Sequence, residues 1–347
     1  MSSGCRWKGL LGFVGFWFSV HACAGQVCGY IPQQPPSYAA RIATVACNEN
    51  TLWFGPFIDR DGRLASISVS EGEGIRLQDG VTPAWRRVAD YWKGSGLLWQ
   101  MSGYPGASDC SYSAGGHLQA ASCRAFLTDT PWSAVFVSFV MNRAGVPGFR
   151  GSASHVDYVR EAYLRPESSP YRVADPDMTA PATGDLLCFA RMRNVLGYQG
   201  LRDFLDHAAG QGLNMHCDIV VAANPRGDSR LYLVGGNVLQ GVTMRVLPLN
   251  RRGLVWGLPR RTGAPSNCSP GSEADCSFNR QDWVALLKLK SLPAPTTPLP
   301  STRPAPMQCC TLCPLPMPPN MQRCPAPTPR PVDSAPTPNA IPPKPDG

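Results

Sequence analysis

Residues 130–145 place the tightest limit on how this chain can fold. Trp132, Val135, Phe136, Phe139 and Val140 recur at i, i+3, i+4, i+7 and i+8, the spacing that lays one apolar stripe along a helix. Asp129 or Thr130 can cap such a helix, Pro131 suits its first turn, and Gly145 can end it. A stripe this apolar has to be covered, so other elements must pack around it. Ser133 falls in the first turn, off the stripe, where a side chain faces the N–H groups that a helix start leaves unpaired.

The elements around it can be read from periodicity and turn chemistry. Alternation predicts strands over 42–54 and 64–70, and residues 83–92 read as a helix with Trp85, Val88, Ala89 and Trp92 on one face. Residues 102–122, rich in Gly and Ser, read as a loop. A further helix is expected over 154–164, with Val156, Val159 and Tyr163 inward. After a turn at 181–185, strands are expected at 186–190, 217–223, 231–234 and 242–247, two of them joined by a turn at 224–228. Helices first, then adjacent strands on short connections, predict an α+β class with helices packed on a mainly antiparallel sheet.

The two ends differ in character from this middle. Residues 1–24 resemble a secretory signal: Arg6 and Lys8, an apolar run over 9–20, and Ala22-Cys23-Ala24 as a cleavage site. A retained anchor and acylation of Cys23 are the alternatives. Residues 25–40 read as a Pro- and Gln-rich leader. Of the chain's 36 prolines, 19 lie in residues 291–347, and that segment reads as a disordered, polyproline-type tail available to tether the domain or bind a protein partner. Folding is thereby confined to 41–260, with 261–290 as a C-terminal extension.

Export gives the cysteines their meaning. Of 14, Cys5 and Cys23 leave with the signal, and the remaining even number suits disulfides in a periplasmic or secreted protein. Cys110 with Cys123 and Cys268 with Cys276 can close local loops. Cys309, Cys310, Cys313 and Cys324 form a cluster without a nearby histidine, for which disulfides are preferred to zinc, so no metal is expected. A formal charge of +8 without a dense basic block argues against nucleic acid and gives only a weak attraction to anionic envelope polymers.

Three segments carry the candidate chemistry. Ser133 is too weak an acid to ionise alone and needs a base within hydrogen-bond reach; its bland alternative is a small helix-start residue. His216 opens a strand on which Asp218 and Val220 share its face and Cys217 points the other way. Asn237 follows Gly235 and Gly236 at a strand end, where a carboxamide can orient an imidazole. His155 and Asp157, at the start of the later helix, are substitutes for these groups or substrate contacts. Trp132, with Trp99, is a candidate wall of a substrate cleft.

These segments also carry a resemblance. Residues 76–92, the helix start from Pro131 to Met141, Ser152-x-x-His155-x-x-Tyr158, Gly184-Asp185-Leu186-Leu187-Cys188, His216-Cys217-Asp218-Ile219-Val220 and Gly235-Gly236-Asn237 together resemble a bacterial family of unknown function, domain of unknown function 2272, over about residues 41–260. That family is more distantly similar to the papain-like cell-wall hydrolases of the NlpC and CHAP types, some of which have a Pro-Trp-Cys-Ala-Ala-Phe-Val helix start. The resemblance implies a papain-like core with Ser133 at the nucleophile position, His216 at the base and Asn237 at the orienting residue. The serine departs from that pattern, because no thiolate–imidazolium pair can form. The expected activity is an exported peptidoglycan amidase or endopeptidase acting without a cofactor. Two alternatives stay open: an inactive module that binds an envelope glycan or peptide, and a secreted antibacterial effector with the same chemistry.

Overall fold

A computed structural model describes residues 27–28, 35–67, 69–111, 116–192, 194–255, 260–261, 268–273 and 276–299, with the backbone alone at 309–310 and 322–323. The expected signal segment lies outside the described residues, as does most of the tail. The chain divides into two units, Met1–Pro300 and Ser301–Gly347. In the second, the short strands β9 (Cys309–Cys310) and β10 (Gln322–Arg323) pair in parallel.

The first unit is α+β. Its described helices are α1 (Tyr38–Leu52), α2 (Ala84–Gly94), α3 (His117–Asp129), α4 (Ser133–Ala144), α5 (His155–Leu164) and α6 (Gly197–His207). The strand expected over 42–54 is instead α1, capped by the Ser37 hydroxyl, which accepts from the Ala40 N–H at 3.2 Å. Its inward stripe is Ile42, Val45, Ala46, Glu49 and Asn50, a helical spacing in which two polar members hide the period. Both find partners. Tyr91 Oη and Arg87 Nε donate to Glu49 at 2.8 and 2.9 Å, and Asn50 Nδ2 donates to the carbonyls of Pro56 and Val242 at 3.1 and 3.0 Å. The loop expected over 102–122 ends early, because α3 begins at His117; one 3-10 turn, Ser108–Ser111, lies in its first part.

Eight strands form one sheet: β1 (Phe57–Ile58), β2 (Leu64–Ser66), β3 (Tyr171–Ala174), β4 (Leu186–Ala190), β5 (Met215–Ala223), β6 (Arg230–Val238), β7 (Gly241–Pro248) and β8 (Asp282–Leu289), in the order β2-β1-β7-β6-β5-β4-β8-β3. All pairs are antiparallel except β1 with β7. The segment expected as an extension supplies β8, an interior strand between β4 and β3. Residues 291–299 also stay on this unit, with Leu292 and Leu299 packed against the core and the Thr297 carbonyl accepting from Arg41.

The helix read first from the sequence is the spine of the core. Residues Ser133 to Met141 of α4 are all buried, and Trp132 stacks on Tyr91 and Trp53 at centroid distances of 5.4 and 6.2 Å. The cap is Trp132 itself, so Pro131 stands just outside the helix; Gly145 ends it with φ +70°. Alternation along β5 sends Cys217 and Ile219 into the cluster shared with the helices. Val220 goes to the opposite face with Leu187, Phe189, Leu233 and Trp283 in a second cluster. Four disulfides close the unit: Cys28–Cys47, Cys110–Cys123, Cys188–Cys217 and Cys268–Cys276. The first ties the expected leader to α1. Such bonds are consistent with an oxidising, extracellular environment.

Candidate active site

The site forms where the starts of α4, α5 and β5 meet. Ser133 is the first residue of α4, and His155 the first of α5. Their side chains bond directly, Ser133 Oγ to His155 Nε2 at 2.7 Å. The other ring nitrogen of His155 is held by the Tyr158 hydroxyl, one helical turn along. His216, second in β5, lies with its ring centroid 5.1 Å from that of His155. Its Nε2 bonds Asp218 Oδ1 at 2.7 Å, and Asp218 Oδ2 accepts from Arg245 Nε at 3.0 Å. Arg245 Nη1 donates onward to Asn279 Oδ1 at 2.9 Å and to the Phe278 carbonyl at 2.6 Å. Two chains of polar contacts therefore converge on adjoining imidazoles.

The glycine pair before Asn237 makes this packing possible. A Cβ on Gly235 would stand 1.9 Å from Asp218 Oδ1, and one on Gly236 would stand 2.3 Å from the Phe136 Cβ of α4. Gly235 thus lets β6 run against the His216–Asp218 pair, while Gly236 lets it lie on α4, the helix that begins at Ser133. Asn237 itself has φ +54°, where the β6–β7 register shifts. Its carboxamide holds neither ring: His216 Nε2 is taken by Asp218, and the buried Nδ1 has no partner among the described residues.

The remaining candidates divide plainly. Trp132 is fully buried, its indole N–H donating to Glu71 at 2.5 Å, so it belongs to the core beneath the site. Asp157 is exposed and accepts from Ser152 Oγ at 2.6 Å, bracing the turn before α5. Trp99 is 73 % exposed and lines an open pocket with Lys93, Gly96, Leu98, Ser102, Ser108 and Ser111; Ser133 and both imidazoles are absent from that lining. Cys217 is bonded to Cys188. Among the described residues no cluster of His, Cys, Asp or Glu could hold a metal ion.

Burial governs the electrostatics. It pushes the His155 pKa well below the ordinary imidazole value, and the charges of His216 and Arg191 push it the same way while Asp218 opposes them. His216 is also lowered by burial, against the pull of Asp218. Burial raises Asp218, but His216 and Arg245 outweigh it and hold the carboxyl well below its usual range, so it is ionised. Burial raises the Tyr158 phenol well above its ordinary value, which keeps it neutral. Both imidazoles are therefore neutral in the fold at pH 7. Below about pH 6.5 the unfolded chain binds protons at these histidines that the folded chain refuses. Stability is thus expected to fall as pH drops from 7.5 to 5, by at most about 2.7 kcal/mol per pH unit for two such groups. A melting temperature that stays flat over this range would show that the folded imidazoles take up protons freely.

A bacterial family described as "uncharacterized protein conserved in bacteria", DUF2272, matches residues 79–289, more than half of the chain. The chain belongs to the DUF2272 family. No curated protein and no solved structure matches it. The DUF2272 match opens just ahead of α2 and closes on the last residue of β8. It spans every residue of the two polar chains, including Asn279, which lies beyond the range over which the resemblance was read.

Four contributors to the site are not among the candidate residues that the sequence of this DUF2272 chain offers. Tyr158 stands three residues after His155 on a helix, a spacing that could have flagged it. Arg245 reaches Asp218 only through strand register, and Asn279 reaches Arg245 only through a long connection, which leave no local signal. Asp218 was placed on the face of His216 but assigned no part in the site.

Proposed function

We propose that this DUF2272 protein is an exported hydrolase of papain-like architecture that cuts amide bonds in peptidoglycan stem peptides, with Ser133 as nucleophile. The observation that carries this reading is the 2.7 Å contact between Ser133 Oγ and His155 Nε2 at the start of a buried helix. With Nδ1–H donating to Tyr158, Nε2 is free to accept the serine proton. The nucleophile then adds to the carbonyl, and the oxyanion meets the first-turn N–H groups of α4, which no side chain caps. His155 passes its proton to the leaving amine, and water repeats the sequence on the acyl-enzyme. The transient imidazolium has a fixed countercharge nearby in Asp218. The disulfides and the signal-like start support export, and the basic charge and family resemblance support an envelope peptide as substrate.

A second reading, a binding module without turnover, is favoured by one observation: Ser133, His155 and His216 are 8 %, 4 % and 0 % exposed, so substrate entry requires the site to open. The deciding experiment incubates purified sacculi with the full mature chain, wild type or Ser133→Ala, and identifies released fragments by mass spectrometry. Hydrolysis predicts new muropeptides or free stem peptides from the wild type alone. Equal sedimentation of both proteins with intact sacculi would establish the binding module instead.

A further inference from the structure

Arg191 follows the last residue of β4, and its N–H donates to the Asn214 carbonyl at 2.8 Å, continuing the ladder with β5 by one step. Strand alternation puts it on the face of Phe189, which pairs across the ladder with His216. The geometry agrees: the guanidinium carbon is 5.5 Å from the Phe189 ring centroid, and that ring is 5.1 Å from the His216 ring. Among the described residues the guanidinium makes neither a hydrogen bond nor an ion pair, and the residue is exposed. Arg245, which stands 5.7 Å from the same ring, is buried and committed to Asp218, Asn279 and a carbonyl.

The charge count of the site follows. Asp218 supplies one negative charge and Arg245 cancels it. The imidazoles are neutral, and Arg191 is left over. Among the described residues the site therefore has one cation with planar, paired donors and no bonded carboxylate, exposed beside the Phe189 ring that packs on His216. A neutral amide substrate gives such a group nothing to neutralise. A carboxylate does, through two parallel N–H···O bonds.

Building on the hydrolase reading above, we propose that Arg191 is the specificity-determining residue of this site and selects substrates that carry a free carboxylate beside the scissile amide. It would rank an acidic stem peptide above the same peptide with that carboxylate amidated.

The test uses the full mature chain carrying Ser133→Ala, so that bound peptide is not consumed. Calorimetry measures binding of a purified stem peptide with free carboxylates and of its amidated counterpart. The free acid is expected to bind at least about tenfold more tightly, as a charge-assisted hydrogen-bond pair implies. Adding Arg191→Gln should lower free-acid affinity to that of the amide and leave the amide unchanged; Arg191→Lys should restore part of the difference. Because the side chain is exposed and unpaired, an unchanged melting temperature certifies the variant fold. Equal affinity for the two peptides, equal loss of both on Arg191→Gln, or binding of neither would overturn the assignment. Cleavage of sacculi by the wild type is scored separately. A free-acid preference without cleavage leaves the carboxylate site standing and removes the hydrolase reading; cleavage without a preference does the reverse.

Discussion

On the proposed hydrolase mechanism, His155→Gln is expected to reduce turnover by roughly three or more orders of magnitude, the scale on which removal of a general base is felt in serine-dependent acyl transfer. Glutamine keeps a polar group near Ser133 Oγ but cannot accept its proton, so the nucleophile stays a weak alcohol. The loss should fall on kcat, with substrate affinity nearly preserved, because the hydroxyl–imidazole contact acts on the reacting atoms. His216→Gln is the informative companion. It removes the donor to Asp218 and an adjoining ring, and on this geometry it slows turnover less than His155→Gln does. The opposite ranking, with His216→Gln inactive and His155→Gln nearly normal, would transfer the base to the strand imidazole and leave His155 as its neighbour. Measuring both variants on one peptide substrate settles the order.

Asp218→Ala is expected to be the most damaging single change to stability among the site residues. Asp218 is 1 % exposed and, among the described residues, is the only carboxylate bonded to the buried Arg245. Truncating it leaves a guanidinium of 4 % exposure without its countercharge, which costs about 3–5 kcal/mol. For a domain of this size that corresponds to a fall in melting temperature on the order of 10 °C. Asp218→Asn, which keeps the shape and one acceptor, should lose less. Asp61→Ala, which removes one partner of the exposed Arg63–Asp61 contact at 3.7 Å, should leave the melting temperature unchanged, since water already screens that pair. Scanning calorimetry of the three variants provides the check. A drop for Asp218→Ala no larger than for Asp61→Ala would mean that Arg245 is not held by the carboxylate.

Legibility in the sequence followed the reach of each signal. The stripe from Trp132 to Val140 and the left-handed Gly145 are local, and they located α4 with Ser133 at its start. The strand face shared by His216 and Asp218 is equally local. Residues 42–54 misled because Glu49 and Asn50 occupy buried positions of the helical period, where burial rests on partners from α2, β7 and the Pro56 carbonyl. The strand β8 was missed for another reason. Its run from Asp282 to Leu287 is buried throughout, and a strand covered on both faces lacks the alternation that marks a half-exposed one. The bond between Ser133 and His155 joins the starts of two helices, and nothing in either segment encodes the approach angle. The sequence therefore supplied the separate groups of the site but not which imidazole the serine meets.

The position of β8 bears on the order in which this molecule can be completed. Its strand is made last among those of the sheet, yet it fills the gap between β4 and β3. β3, more than a hundred residues earlier, pairs with no other strand among the described residues. During synthesis, β4 waits with an open edge beside the strand that carries His216. Pairing over so long a separation is slow, and an unpaired interior edge is the kind of surface that associates with other chains. Until residue 289 is in place, the β4 edge is therefore the part of the sheet most open to association with another chain.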